Sequence, residues 1–448
     1  GVTNYLVADI PVGGNARRAT ARTNVTLSRA FHLIKFDLSI KAEGAPVRAG
    51  GRVDGDTVLI AGVGSTGNNV DSQRVALSGP ILLPTLVPLA LSLTERPKLG
   101  KRYVFPVLDP AQMTQRDVSL DVRAESLFVV NDSAVYDSAT ARWRGVLPDT
   151  VRAWQVLSQT AGVFSGWVDE QGRIVETTQL GFLLRRMPYE VAFENWRADS
   201  GRVVVTDDRD ILETSAIASN VRMSKHVSSL VVRLSGVSLA GFDVNGGRQR
   251  LERDTLFVTE PSDSALGAVR AWPTPGPDPA ALLPEPLIQS RDPKIIRLAQ
   301  RLRASDRDPR AVAERINAWV HDSIANRVTF GVPNALEVLQ TRVGDCNEHT
   351  QLFVALARAA RLPARVASGL AYIGGKFYYH AWPEVYLDDW VAVDPTFGQF
   401  PADAAHLRFI VGGLARQTEL LQLMGNLRID VVSVNGASAA PRSTAGAR

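Results

Sequence analysis

Apolar residues follow two different periods along this chain. Up to about residue 195 they come in short runs closed by Gly, Pro or Asp, such as "TVLIAGVG" and "YVFPVLD", which predict β-strands. "GWVDEQGRIVETTQLG" predicts a hairpin with Gln171-Gly172 near its turn, and "MPYEVAFENW" a helical interruption at 187–196. Two further strand patterns, "SSLVVRLSGV" and "ERDTLFVTE", follow, joined around "DVNGG". The longest apolar stretch, "GPILLPTLVPLALSL", is too short to span a bilayer and is broken by Pro84 and Pro88, so it predicts an edge segment or a buried connector. No internal repeat stands out.

Beyond about residue 285 the period becomes helical. "DPKIIRLAQRLRA" sets Ile295, Ile296, Leu298 and Leu302 on one stripe, and "DPRAVAERINAWVHDSIANRV" repeats the pattern with Val312, Ile316, Trp319, Val320 and Ile324. Both open on Asp-Pro, an N-cap followed by proline in the first turn. Between the two regimes lies "WPTPGPDPAALLPEP", a proline-dense linker. The expected organisation is a β-rich domain over 1–198, a β-rich segment over 199–271 that could belong to it, a linker over 272–286, a catalytic domain over 287–436 and a disordered tail over 437–448.

A chain of 448 residues is long enough for several domains, and 45% hydrophobic with 21% charged residues fits folded cores. The 50 Lys and Arg against 46 Asp and Glu are interspersed, with none of the basic striping of a nucleic-acid binder. A single cysteine allows no internal disulfide and no sulfur set for a structural zinc cage.

That cysteine sits in "RVGDCNEHTQLFVALARAARLPAR". With Asp345 as N-cap, Cys346 becomes the first helical residue and Glu348 falls at the third, a capping box. Leu352, Phe353, Leu356 and Ala360 give the helix an apolar face, and Pro363 stops it. A thiol at the positive end of a helix is expected to have a lowered pKa. His380, in "FYYHAWPEVYL", and Asp394, closing "VAVDPT", then lie on the two arms of a predicted β-hairpin. Strand alternation makes loop length decisive. A two-residue Asp388-Asp389 loop pairs Asp394 with Pro383, on the face away from His380. A three-residue Leu387–Asp389 loop pairs it with Trp382, diagonal to His380 and within reach. A Cys-His-Asp triad therefore requires an odd loop or a bulge, and Pro383 an edge or irregular position.

These stretches, "GDCNEHTQLFVALARAARLPARVASGL" and "FYYHAWPEVYLDDWVAVDPTFGQ", resemble the core of the bacterial transglutaminase-like superfamily over about residues 285–430. Gly-Asp-Cys, Leu-Pro-Ala-Arg, His-Ala-Trp and Asp-Pro-Thr occur in its order. The resemblance implies an α+β fold: a papain-like core of helices on an antiparallel sheet, here preceded by a β-rich N-terminal region. It also implies Cys346 as nucleophile, His380 as base and Asp394 as orienting acid. It implies nothing for the N-terminal half.

Other polar and aromatic residues have bland alternatives. Trp382 shares the His380 face and is a candidate cleft wall or a core residue. His349, one turn after Cys346, and Tyr379, near the Gly374-Gly375 turn, are further cleft candidates, each also explicable by packing or structural hydrogen bonding. Glu384 reads as an ion-pair residue. A Cys346/His349 metal pair lacks further ligands, so neither metal nor cofactor is expected. The expected activity is attack by Cys346 on an amide or peptide bond through a thioester, more readily hydrolytic than transferring. The alternatives are a protein-crosslinking transglutaminase or other acyltransferase, and a scaffold protein with a degenerate core. The expected partner is a protein or peptide substrate, with no nucleic acid, no integral membrane segment, and an envelope component as a candidate for the β-rich region. The start at Gly1 suggests a removed targeting segment and an exported, periplasmic setting.

Overall fold

The computed structural model describes residues 1–12, 15–41, 47–63, 73–109, 114–158, 165–179, 182–198, 215–223, 226–262, 266, 278–285, 287–327, 334–417, 419–420 and 423–439. Residues 272–277 and 286 of the expected linker and residues 440–448 of the expected tail lie outside these. Two compact units divide the chain, 1–208 and 209–448.

The first unit holds two six-stranded antiparallel meanders. One is β1 (Val2–Val12), β2 (Asn15–Leu27), β3 (Leu33–Lys41), β4 (Val47–Asp54), β5 (Thr57–Val63) and β6 (Gln73–Ala76). The other is β7 (Arg102–Asp109), β8 (Thr114–Asp137), β9 (Arg142–Ser158), β10 (Gly166–Asp169), β11 (Ile174–Gln179) and β12 (Phe182–Arg185). Alternation selects the buried face: Tyr103, Phe105 and Val107 are buried while Val104 between them is 54% exposed. The hairpin turn forms where expected, with Gly172 at φ +72° between β10 and β11.

The long apolar stretch is a buried connector, and its Leu82 bridges to Val107 at the edge of the second meander. A 3₁₀ turn (Pro84–Leu86) runs into helix α1 (Val87–Thr94), and Leu82, Val87, Ala90 and Leu91 pack on the second meander. Pro84 and Pro88 both stand in first turns, where no backbone donor is lost, so they start helical structure instead of breaking it. The 187–196 interruption is a π-turn (Glu190–Glu194) leading into the short helix α2 (Asn195–Ala198).

The second unit opens with β13 (Ile217–Ala218), β14 (Ser229–Ser235), β15 (Gln249–Glu252) and β16 (Thr255–Thr259). The tight turn here is Arg253-Asp254, with Arg253 at φ +57°; "DVNGG" instead loops back ahead of β15. Helices α3 (Pro293–Arg303) and α4 (Pro309–Ser323) follow, capped by Asp292 and Asp308 as their Asp-Pro openings predict. Then come β17 (Ala325–Asn326), helix α5 (Ala335–Thr341), β18 (Val343–Gly344) and helix α6 (Cys346–Ala359). The chain finishes through β19 (Ala364–Ile373), β20 (Lys376–Tyr386), β21 (Trp390–Ala392), β22 (His406–Val411), helix α7 (Leu414–Gln417), β23 (Arg428–Val434) and β24 (Ala437–Ser438).

Two sheets organise this unit. One runs β13-β20-β19-β22, with β21 beside the far end of β20; the other runs β15-β16-β14-β23-β24. β14 therefore pairs with a strand nearly two hundred residues downstream, Arg233 lying opposite Asp430. α6 is the central helix. Its buried Leu352, Phe353, Leu356 and Ala360 join residues of α3, α4 and α5, and Val366 and Val385 of the sheet, in one core. A second core fills the space between the two sheets with Leu230, Leu256, Phe377, Leu407 and Ile429.

Gly369 on β19 lies opposite His380, and a Cβ there would stand 2.0 Å from the Leu407 carbonyl oxygen of β22. Backbone cannot yield as a side chain can. Gly369→Ala is expected to push β22 outward and lower unfolding free energy by about 1–3 kcal/mol, read as a lower urea midpoint with an unchanged slope.

Candidate active site

Helix α6 presents Cys346 at its first position. The capping box is complete: the Asp345 carboxylate accepts from the Asn347 N–H at 2.8 Å and from the third-position N–H, and Glu348 accepts from the Asp345 N–H at 2.9 Å. The thiol itself differs from expectation. Cys346 is half-buried, and desolvation, followed by the charge of Asp345, pushes it well above the usual thiol value. A hydrogen bond from the Ala381 backbone N–H works the other way and does not prevail. Helix position alone omits the low-dielectric walls and the acidic cap, and both favour the neutral form.

The Ala381 N–H is available because of a gap in the sheet. β20 pairs with β21 only over Glu384–Tyr386 and with β13 only at Lys376 and Phe377. Pro383 stands one residue past the β21 ladder, its carbonyl accepting from Val393 at 3.0 Å, which is the irregular position a strand proline needs.

Tyr386 lies opposite Trp390, so the loop is the three-residue Leu387–Asp389, with Asp388 at φ +72°. That register places Asp394 on the His380 face. The His380 Nε2 and Asp394 Oδ2 are 2.7 Å apart, and Asp394 is fully buried. The other carboxylate oxygen accepts the N–H groups of Thr396 at 2.7 Å and Phe397 at 3.1 Å, an Asx turn that fixes its plane. Burial would raise the Asp394 carboxyl. The charge and hydrogen bonds of His380 and His406 overcome that and hold it far below the usual carboxylate range.

Trp382 is on the expected face but is sealed within the protein. It packs with Ala367, Ala392 and Ala402, its ring centroid 6.1 Å from that of His380 and 5.2 Å from that of His406. It is a wall behind the imidazoles. His349 is buried, and its Nδ1 donates to the Asp345 carbonyl at 2.7 Å; burial lowers its pKa despite that bond. Its place is within the helix start, one turn inside the protein, and not on a cleft surface. Tyr379 alternates to the face away from His380 and packs against the core between the sheets; burial pushes its phenol up. Glu384 is an ion-pair residue, accepting from Arg408 at 2.9 Å and from the Nη2 of Arg365 at 2.6 Å.

Three participants lay outside the sequence reading. Phe397 stacks on His380 with ring centroids 4.6 Å apart and planes at 5°. His406, from β22, places Nε2 3.0 Å from Asp394 Oδ2, and its Nδ1 is 3.1 Å from Asp403 Oδ1. "DAAH" at 403–406 was the only trace in the sequence of this pair. The ligand atoms of His380, Asp394 and His406 lie within 4.8 Å of one another, a set that could hold a metal. Their N···O separations are those of hydrogen bonds, shorter than the ~3.4 Å two ligands keep across tetrahedral zinc with ~2.1 Å bonds. The donors here are engaged with one another.

Residues 296–395 match the profile of the Transglutaminase-like superfamily. Among solved structures, a cysteine-protease candidate from Cytophaga hutchinsonii is similar at 17% identity and a TM-score of 0.32, over 48% of this chain and 89% of that one. The periplasmic domain of TgpA from Pseudomonas aeruginosa is similar at 18% identity and a TM-score of 0.26, over 41% of this chain and 81% of that one. No curated protein sequence matches the chain. No helix among the described residues is long and apolar enough to cross a membrane.

Asp394→Asn tests the electrostatics. The lowered carboxyl contributes stability above the unfolded-state value of about 3.9 and loses it as pH falls below that. At pH 7 the variant is expected to be less stable by about 3–5 kcal/mol, the cost of breaking a buried charge pair. Guanidinium midpoints should show that gap narrowing as pH falls from 4 toward 2.

Proposed function

We propose that the transglutaminase-like core at residues 296–395 is the centre of a cysteine-dependent acyl-transfer enzyme acting on amide or peptide bonds, with hydrolysis the preferred outcome. The observation carrying this reading is the 2.7 Å contact between His380 Nε2 and Asp394 Oδ2. With Nε2 donating there, Nδ1 is the nitrogen left to exchange a proton with Cys346. The Ala381 N–H that reaches the sulfur belongs to the residue after His380, which brings helix start and imidazole together.

In this reading the elevated thiol makes proton transfer to His380 the gate. The Cys346 proton moves to Nδ1 as the sulfur attacks the carbonyl carbon. The Cys346 backbone N–H, at the helix start, faces the developing oxyanion. The imidazolium then protonates the leaving amine, the C–N bond breaks, and a thioester remains. Water, activated by the same nitrogen, attacks the thioester, releasing acid and regenerating thiol. Asp394 keeps the imidazole oriented and offsets its charge during both transfers. An amine in place of water gives transfer. Cys346 as a residue is only half-buried, which leaves water a path to the site and favours hydrolysis.

One observation favours the scaffold alternative: the raised thiol is what an inert buried cysteine also shows. Alkylation by iodoacetamide separates the two. Because the thiol is raised, a working pair reacts at neutral pH only as His380 takes the proton, so His380→Ala is expected to slow alkylation at pH 7 by about a hundredfold. A wild-type rate at pH 7 that the substitution leaves unmoved would leave the scaffold reading. A hydroxylamine-sensitive acyl adduct on Cys346, seen by intact mass with ester or peptide-amide probes and turned over faster by water than by added amines, would fix the hydrolytic outcome.

A further inference from the structure

The second imidazole has a role that the triad does not account for. Both ring nitrogens of His406 face carboxylate oxygens, Nε2 toward Asp394 at 3.0 Å and Nδ1 toward Asp403 at 3.1 Å. A neutral imidazole has one N–H and would turn a lone pair on one of these oxygens. Neither carboxylate is placed to supply the missing proton. Asp394 Oδ2 also faces His380, its Oδ1 takes two backbone N–H groups, and Asp403 Oδ1 takes the Ala405 N–H at 3.0 Å. Burial would raise both carboxyls, but these hydrogen bonds and the neighbouring charges hold both below the usual carboxylate range, so both oxygens act as acceptors. His406 must then donate twice, which only the imidazolium can do.

We propose that His406 is a permanently protonated positioning residue that holds Asp394 toward His380 and, by sharing its charge, restrains the basicity of His380. This rests on the catalytic reading of Cys346 and His380 given above. The relay runs His380–Asp394–His406–Asp403, across β20, the 394–399 turn and β22.

The surroundings support a fixed charge. His406 is 2% exposed and closed in by Trp382, Phe397 and the His380 ring, 5.7 Å away centroid to centroid. Other charged groups on this side are Arg248, which donates to the His406 carbonyl at 3.1 Å, and the Arg408–Glu384–Arg365 network; Glu260 lies beyond Asp403 and Arg248. Burial disfavours the imidazolium and Arg248 repels it, but the two carboxylates outweigh both and raise His406. Without the cation, the full charge of Asp394 would act on His380.

The test is NMR of the full chain labelled at histidine, which has six such residues to assign. In the wild type, His406 is expected to show two ring N–H protons from pH 6 to 9. In His406→Gln, which keeps one donor and removes the charge, the His380 midpoint is expected to rise by about one pH unit, the effect of deleting a nearby like charge. A purely structural His406 would lower thermal stability and leave that midpoint in place. If His406→Gln does not fold, Asp403→Asn serves: its amide oxygen still accepts, and the His406 midpoint is expected to fall by about one unit or more. A single ring N–H on His406 at pH 7, or a His380 midpoint that stays or falls in His406→Gln, overturns the proposal. Iodoacetamide reactivity of the same samples, with His380→Ala, reports separately on the catalytic reading, so either can fail alone.

Discussion

The Asp394 carboxylate, with no exposed surface, is the group around which this end of the molecule is arranged. Four donors converge on it: two imidazole nitrogens and two backbone N–H groups. A buried anion is costly unless it is fully hydrogen-bonded. Satisfying it here fixes the 394–399 turn, the side chain of β20 that faces it and the register of β22. The reactive geometry and the local fold are therefore one problem with one solution. A substitution that relaxed the carboxylate would disturb both.

Much of the site could be read from the chain because its determinants are local. Asp345, Cys346 and Glu348 are three of four consecutive residues, and a capping box needs nothing beyond them. The parity of the Leu387–Asp389 loop decides on which face Asp394 falls, and that too is a short-range fact. The two Asp-Pro helix starts and the β10–β11 hairpin belong to the same class.

What stayed hidden depends on the third dimension. His406, held by Asp403, meets Asp394 only because β22 pairs with β19, and no periodicity announces such a polar cluster on a sheet. The thiol's direction was misjudged for the same reason: helix position is written in sequence, whereas desolvation depends on everything packed around the sulfur. Tyr379, a cleft candidate on sequence, shows the converse: alternation from His380, a short-range rule, puts it on the other face. The segment 79–93 turned helical because proline's effect depends on whether it falls in the first turn, which composition does not reveal.

The lone cysteine has a consequence for the whole molecule. With a single sulfur of this kind among 448 residues, no internal cross-link forms or breaks when the surroundings change from reducing to oxidising. The scaffold is indifferent to that change. All thiol sensitivity is concentrated on one half-buried residue, so an oxidant can silence the sulfur while leaving the architecture standing. Folding and reactivity answer to different features of the environment, and one residue separates them.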